Sequence, residues 1–205
     1  MARTAFLTTA DGVRLELEAG PNPTATPRGS SVICHPHPLH GGDMRSPVVM
    51  TLARASRDAG LVPVRYNFRG TGRSGGSHGG GDAEVADVRA AAAHACGLAP
   101  GGRLAVMGYS FGAAVVTRWL SRGGRADAAV LVALPEGTGE LAFDGVPTLL
   151  VVGELDTISP RREAGQLARG HAWRLEVLRG EDHFLWTGLE ALEGTVRAFL
   201  QQHTR

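Results

Sequence analysis

Gly108-Tyr109-Ser110-Phe111-Gly112, Gly153-Glu154-Leu155-Asp156 and Gly180-Glu181-Asp182-His183 offer, in that chain order, a nucleophile, a carboxylate and a base. A serine hydroxyl is a weak nucleophile and needs a base within hydrogen-bond reach, itself oriented by a third group. Imidazole suits that base, because its ordinary titration range lies near neutral pH. Ser110 and His183 are the first two members, and a carboxylate following the Val151-Val152 run is the third. Asp156 and Glu154 both stand there, while Asp182 adjoins the histidine, where its side chain is poorly placed to fold back. The chemistry this implies is acyl transfer to water through an acyl-serine, from a carboxylic ester or a related thioester or amide.

The elements around Ser110 must present it. An apolar run, Leu104 to Met107, precedes it, and a helical pattern, Ala113 to Leu120, follows. Strand, sharp turn and helix make a nucleophile elbow, and the flanking glycines suit a tight turn where bulk would clash. A helix N-cap is the other role open to a serine at such a junction. His183 follows the Leu175 to Leu178 run and precedes the last helix; of eight histidines it alone sits in a loop past the last strand. An oxyanion needs two backbone N–H donors. Phe111 supplies one, and the loop after Val32 to Cys34 supplies the other. Pro36 and Pro38 have no N–H, which leaves His37 or Leu39.

Along the chain, Asp11-Gly12 turns a hairpin between Ala5–Thr8 and Val13–Leu17. Pro21 to Pro27 is an irregular connector. Apolar runs then alternate with helical patterns: Val32 to Cys34, Leu61 to Phe68, Leu104 to Met107, Ala128 to Leu134, Thr148 to Val152 and Leu175 to Leu178. Continuous apolar runs mark strands covered on both faces. Ser46-Pro47 and Ser159-Pro160 read as N-caps with proline at the first helical position, and Asp82 as the cap of an alanine-rich helix ending near Cys96. Leu189 to Gln202 is a terminal helix. The expectation is one α/β domain over residues 1–205, with a mostly parallel sheet, an antiparallel N-terminal hairpin and helices on both faces. Pro135 to Pro147 is too short for a cap domain, so the cleft should be open and suited to short acyl chains.

Composition narrows the function. A net charge of +1 without a polybasic stripe argues against nucleic acid and anionic membranes as partners, leaving a small ester-type substrate. Lysine is absent, which excludes Schiff-base chemistry, Ser-Lys dyads and the P-loop lysine. Cys34 and Cys96 form no disulfide framework, and the first residues lack an apolar leader, so a cytoplasmic location is expected. The oligomeric state is not encoded in these features.

With these motifs in place, the chain resembles the α/β-hydrolase superfamily, and within it a group of small lidless bacterial hydrolases. The resemblance rests on His35-Pro36-His37-Pro38-Leu39-His40-Gly41-Gly42, on Arg65-Tyr66-Asn67-Phe68-Arg69-Gly70-Thr71-Gly72-Arg73-Ser74, and on the elbow at Ser110. It runs from about Val32 to the carboxyl terminus. It implies the α/β-hydrolase fold without a cap, the acid at Asp156, the second oxyanion donor at His37, and no metal or cofactor. A catalytically silent homologue that binds a small molecule or partner is the rival reading, since fold does not fix function.

Two further motifs have competing readings. His35, His37, His40 and Asp43 carry metal-ligating types and would serve a zinc-dependent hydrolase, though no distant ligand completes the set. Gly70-Thr71-Gly72-Arg73-Ser74-Gly75 spells a dinucleotide fingerprint, but Gly76 to Gly81 separates it from the next helix, so a glycine-rich turn is expected, with Arg69 and Arg73 as structural or substrate-contacting charges. Leu39, His40, Met44 and Trp186 are candidate pocket residues, with Phe184 beside them. Trp119 and Trp173 are core candidates.

Overall fold

A computed structural model describes residues 3–22, 26–138 and 143–205. The strands are β1 (Arg3–Thr8), β2 (Arg14–Ala19), β3 (Gly29–Cys34), β4 (Leu61–Tyr66), β5 (Arg103–Tyr109), β6 (Ala128–Val132), β7 (Thr148–Gly153) and β8 (Arg174–Leu178). They form one eight-stranded sheet in the order β1-β2-β4-β3-β5-β6-β7-β8. The β1–β2 hairpin joins β4 antiparallel, and β4, β3, β5, β6, β7 and β8 run parallel to one another. Among the described residues five α-helices cover it: α1 (Pro47–Asp58), α2 (Glu84–Leu98), α3 (Phe111–Ser121), α4 (Arg161–Gly170) and α5 (Leu189–His203).

The period-2 alternation of side chains divides the core in two. Along β5, Leu104 and Val106 join Val88, Ala92 and Ala95 of α2 and Val115 of α3 on one face. Ala105 and Met107 meet Val49 and Leu52 of α1 and Val196 and Phe199 of α5 on the other. Each fully buried aliphatic or aromatic side chain contributes about 1.5–3 kcal/mol, which is why both faces are covered. Trp119 and Trp173 are buried in the first of these cores.

All six expected strands after the connector are present, shifted by a few residues at their ends. The helix caps differ from expectation. Ser46 Oγ makes no cap bond and instead accepts from the Asp43 N–H. Helix α2 starts at Glu84 with Ala83 as its N-cap, while Asp82 is exposed and accepts from Arg122. Ser159 donates its hydroxyl to the Leu134 carbonyl, and Pro160 is the N-cap of α4. For Asp82 and Ser159 a partner distant in sequence replaced the cap bond, and for Ser46 a local one did. The connector between β6 and β7 contains residues 139–142, which lie outside the described residues; its described parts form no helix.

Because β3 to β8 run parallel, their C-terminal ends and following loops gather along one sheet edge. Ser110 follows β5, Asp156 follows β7 and His183 follows β8, so the fold brings three distant segments to one place. This edge is where ligands bind in open α/β sheets.

Candidate active site

Ser110 occupies the residue between β5 and α3 with φ 53 and ψ −117, a conformation that L side chains rarely adopt. Its N–H is bonded to the Val132 carbonyl at 2.8 Å, which locks the turn to β6. The flanking glycines are demanded by close approach. A Cβ on Gly108 would stand 2.4 Å from the Gly112 carbonyl carbon, and one on Gly112 would stand 2.4 Å from the Cys34 carbonyl oxygen. Gly112→Ala is therefore expected to destabilise by about 3 kcal/mol. For a domain of this size that lowers the melting temperature by about 6–12 °C. A shift below about 2 °C would mean that the turn relaxes freely and that the elbow is not the tight junction described.

His183 Nδ1 lies 2.9 Å from Asp156 Oδ2, and its Nε2 lies 2.9 Å from Ser110 Oγ. An ionised carboxylate only accepts, so Nδ1 carries the proton and donates to Asp156; Nε2 then accepts from the serine hydroxyl. Asp156 is buried, and its Oδ1 accepts the N–H groups of Ile158 and Ser159, each at 2.8 Å. Burial pushes its carboxyl upward, but the His183 bond and these two N–H donors outweigh burial and hold it below the usual carboxylate range. Tyr109 donates to the His183 carbonyl at 3.0 Å, pinning the backbone of that loop. Burial, then the charges of Asp156 and Asp182, push the Tyr109 hydroxyl up to about 12, so it remains a neutral donor.

The competing carboxylates are engaged elsewhere. Glu154 Oε2 accepts from the Gly180 N–H at 3.0 Å, and Asp182 Oδ1 from the Phe184 N–H at 2.8 Å. Among the described residues, the N–H groups of Phe111 and His37 have no acceptor, and the rings of these residues lie 5.0 Å apart. The Leu39 N–H is taken by His37 Nδ1 at 3.3 Å. The arrangement can transfer a serine proton to an imidazole whose positive charge a buried carboxylate stabilises, beside two unoccupied backbone donors.

The histidine-rich loop is a scaffold. His35 is buried; its Nδ1 donates to the Pro36 carbonyl at 2.7 Å and its Nε2 accepts from the Phe68 N–H at 3.0 Å. Burial lowers its pKa to about 4, so it stays neutral. With both ring nitrogens engaged it is not available as a ligand, and among the described residues no group of three or more His, Cys, Asp or Glu could hold a metal ion. The Arg65-to-Gly75 segment supports the same loop. Arg65 Nη1 donates to the Met44 carbonyl at 2.8 Å, and Asn67 Oδ1 accepts from the Met44 N–H at 2.9 Å. Met44 is thereby buried away from the cleft, contrary to expectation. Arg69 bonds Asp87 and Asp11, and Arg73 bonds Glu16, so both serve structure. The glycines close a turn through the Gly70 N–H to Gly75 carbonyl bond rather than opening a helix.

A cleft of about 730 Å³ surrounds Ser110 and His183, with His37, His40, Tyr109, Phe111, Ile158 and Trp186 among its walls. Leu39, a candidate wall residue, is 73% exposed and stands outside it. Leu39, Leu155, Ile158, Phe184 and Trp186 are the exposed large hydrophobic residues among those described, and all five sit on the loops at this edge. Sequence reasoning missed Arg118, which also lines the cleft. Its helical spacing from Ser110 was the available signal.

The family profile described as serine aminopeptidase, S33, matches residues 27–135, from β3 through the elbow to the end of β6. The chain belongs to this family of α/β hydrolases. Among solved structures, this hydrolase is similar to an α/β serine hydrolase homologue from Coxiella burnetii, at 30% identity and TM-score 0.87 over 96% of each chain. It is also similar to a lidless α/β serine hydrolase from Xanthomonas campestris, at 27% identity and TM-score 0.88 over 98% of this chain and 94% of that one. An uncharacterized protein of Rickettsia prowazekii is 26% identical over 184 residues, 83% of this chain and 77% of its own. The hydrolase thus shares the lidless architecture, and among its described residues no helix is long and apolar enough to cross a membrane.

Proposed function

We propose that this chain is a serine hydrolase of carboxylic esters, with Ser110 as nucleophile, His183 as general base and acid, and Asp156 as the orienting carboxylate. The observation that carries this reading is the unbroken relay from Ser110 Oγ to His183 Nε2 and from His183 Nδ1 to Asp156, both links 2.9 Å. Ser110 Oγ attacks the ester carbonyl carbon while its proton passes to His183 Nε2. The N–H groups of Phe111 and His37 hold the resulting oxyanion. Collapse breaks the carbonyl–alkoxy bond, and His183 returns its proton to the departing alcohol. Water then attacks the acyl-serine, giving its proton to His183, and the acid leaves with Ser110 restored.

Esters fit this cleft better than the peptides implied by the family's description. An aminopeptidase must bind a free α-ammonium group, and the described walls of the cleft contain no carboxylate to receive one. Arg118 would instead repel it. Apolar Ile158, Phe184 and Trp186 on the His183 side suit the alcohol part of an ester. The described loops carry no lid, so long acyl chains gain little burial, and a p-nitrophenyl butyrate should be hydrolysed with higher kcat/KM than the decanoate. Faster decanoate turnover would sink the open-cleft argument. Efficient cleavage of aminoacyl-anilides, with no ester turnover, would return the site to peptides. A zinc-dependent hydrolysis has no support from the His35 loop, whose geometry serves structure.

A further inference from the structure

Arg118 is a charged side chain in the cleft that the ester chemistry does not use. Ser110, just before α3, and Phe111, Ala114 and Arg118 on its successive turns line the cleft, with Arg118 in the last turn. About 12 Å of helix axis separates Ser110 from Arg118, and a helical side chain leans back toward the N-terminal end, here toward the serine. The Arg118 side chain is 26% exposed and, among the described residues, makes no hydrogen bond. Its nearest carboxylate, Asp82, is 4.0 Å from Nε, is 72% exposed and already accepts from Arg122 at 2.6 Å. By contrast, the buried guanidinium groups of Arg65 and Arg69 are fully engaged. A partly buried cation whose one counter-charge is distant, exposed and shared with Arg122 leaves its donors free for a ligand.

The surroundings are built to hold that guanidinium. Gly81 has φ +102, and a Cβ there would stand 2.1 Å from Arg118 Nη1, so the glycine leaves the space the arginine occupies. Glu84, fully buried, fixes this loop by accepting the N–H groups of Gly79 and Gly81, each at 2.7 Å. Among the described residues of the cleft wall, Arg118 is the one permanently charged group. Its position also says which half of the substrate it meets. His183, after β8, protonates the leaving alcohol, so the acyl group extends away from it, toward Gly80 in the segment after β4 and Arg118 on the helix after β5.

Resting on the esterase reading, we propose that Arg118 binds a carboxylate at the far end of the acyl chain, making monoesters of short dicarboxylic acids the preferred substrate class. A guanidinium offers paired donors matched to a carboxylate. The test compares mono-p-nitrophenyl adipate with p-nitrophenyl butyrate on wild type, Arg118→Met and Arg118→Lys. Wild type should favour the adipate by at least tenfold in kcat/KM, and Arg118→Met should cut adipate hydrolysis by at least tenfold. The same variant should reduce butyrate hydrolysis by only about threefold, and Arg118→Lys should recover part of the adipate rate. Equal losses on the two esters, or none on either, would overturn the proposal. Calorimetric binding of free adipate to Ser110→Ala separates this inference from the one beneath it. Adipate bound by Ser110→Ala and lost in the Ser110→Ala, Arg118→Met double variant supports the subsite even if Ser110 proves unreactive. A reactive Ser110 with no adipate binding sinks the subsite alone.

Discussion

Ser110→Ala is expected to reduce ester turnover by about 10⁶, with little change in melting temperature. The large factor follows from the relay. In the proposed mechanism Ser110 supplies the attacking oxygen, and His183 has no other proton to take on the route to the acyl-enzyme. The small stability effect follows because alanine adopts the strained backbone at φ 53 no worse than serine, and the Ser110 N–H bond to Val132 is retained. Residues that act as one unit give non-additive losses. The Ser110→Ala, His183→Ala double variant should therefore be no slower than Ser110→Ala by more than about threefold. A further fall of about 10³ in the double variant would mean that His183 works independently of the serine, contradicting the relay.

Asp156→Asn is the second large effect, about 10⁴ in kcat, and its origin is the tautomer rather than the charge alone. Oδ1 of Asp156 receives two backbone N–H groups, so an asparagine would place its carbonyl oxygen there. Its amide NH₂ would then face His183 Nδ1, which would have to accept, moving the ring proton to Nε2. That nitrogen could no longer take the proton of Ser110. A loss below tenfold would shift the orienting role to another acid. The same variant has a stability signature. Asp156 is held below its ordinary value of 3.8, so the ionised form stabilises the fold above the unfolded-state pKa, and that contribution is lost as pH falls through the lower folded-state value. Urea midpoints of wild type and Asp156→Asn should differ most above about pH 5 and converge as the pH falls below the unfolded-state value of 3.8. A gap that widened in acid would reverse the sign of the linkage.

The sheet, the hairpin and the elbow were legible because apolar runs alternating with helical patterns are local signals. That Ser110, Asp156 and His183 meet was legible because each follows a strand end, and parallel strands bring such ends together. The caps at Asp82 and Ser159 were not, because their partners, Arg122 and Leu134, are distant in sequence. Ser46 accepts from Asp43 three residues away, within reach of local reasoning. Met44 was misplaced for a similar reason. Arg65 and Asn67 grip its backbone from β4 and the turn after it, drawing the side chain into the core. Arg118 was passed over because an arginine on a helix ordinarily points to solvent. Only the approach of Gly81, held by Glu84, to Arg118 and Phe111 of α3 places it at the wall of the cleft.

The central claim is that the relay activates Ser110. Intact-mass measurement after treatment with a fluorophosphonate, on wild type and Ser110→Ala in parallel, tests it most directly. One probe added to wild type and none to the variant is the predicted result. Absence of labelling on both, or equal labelling of both, would contradict the assignment of Ser110 as an activated nucleophile and leave a binding protein on a hydrolase fold.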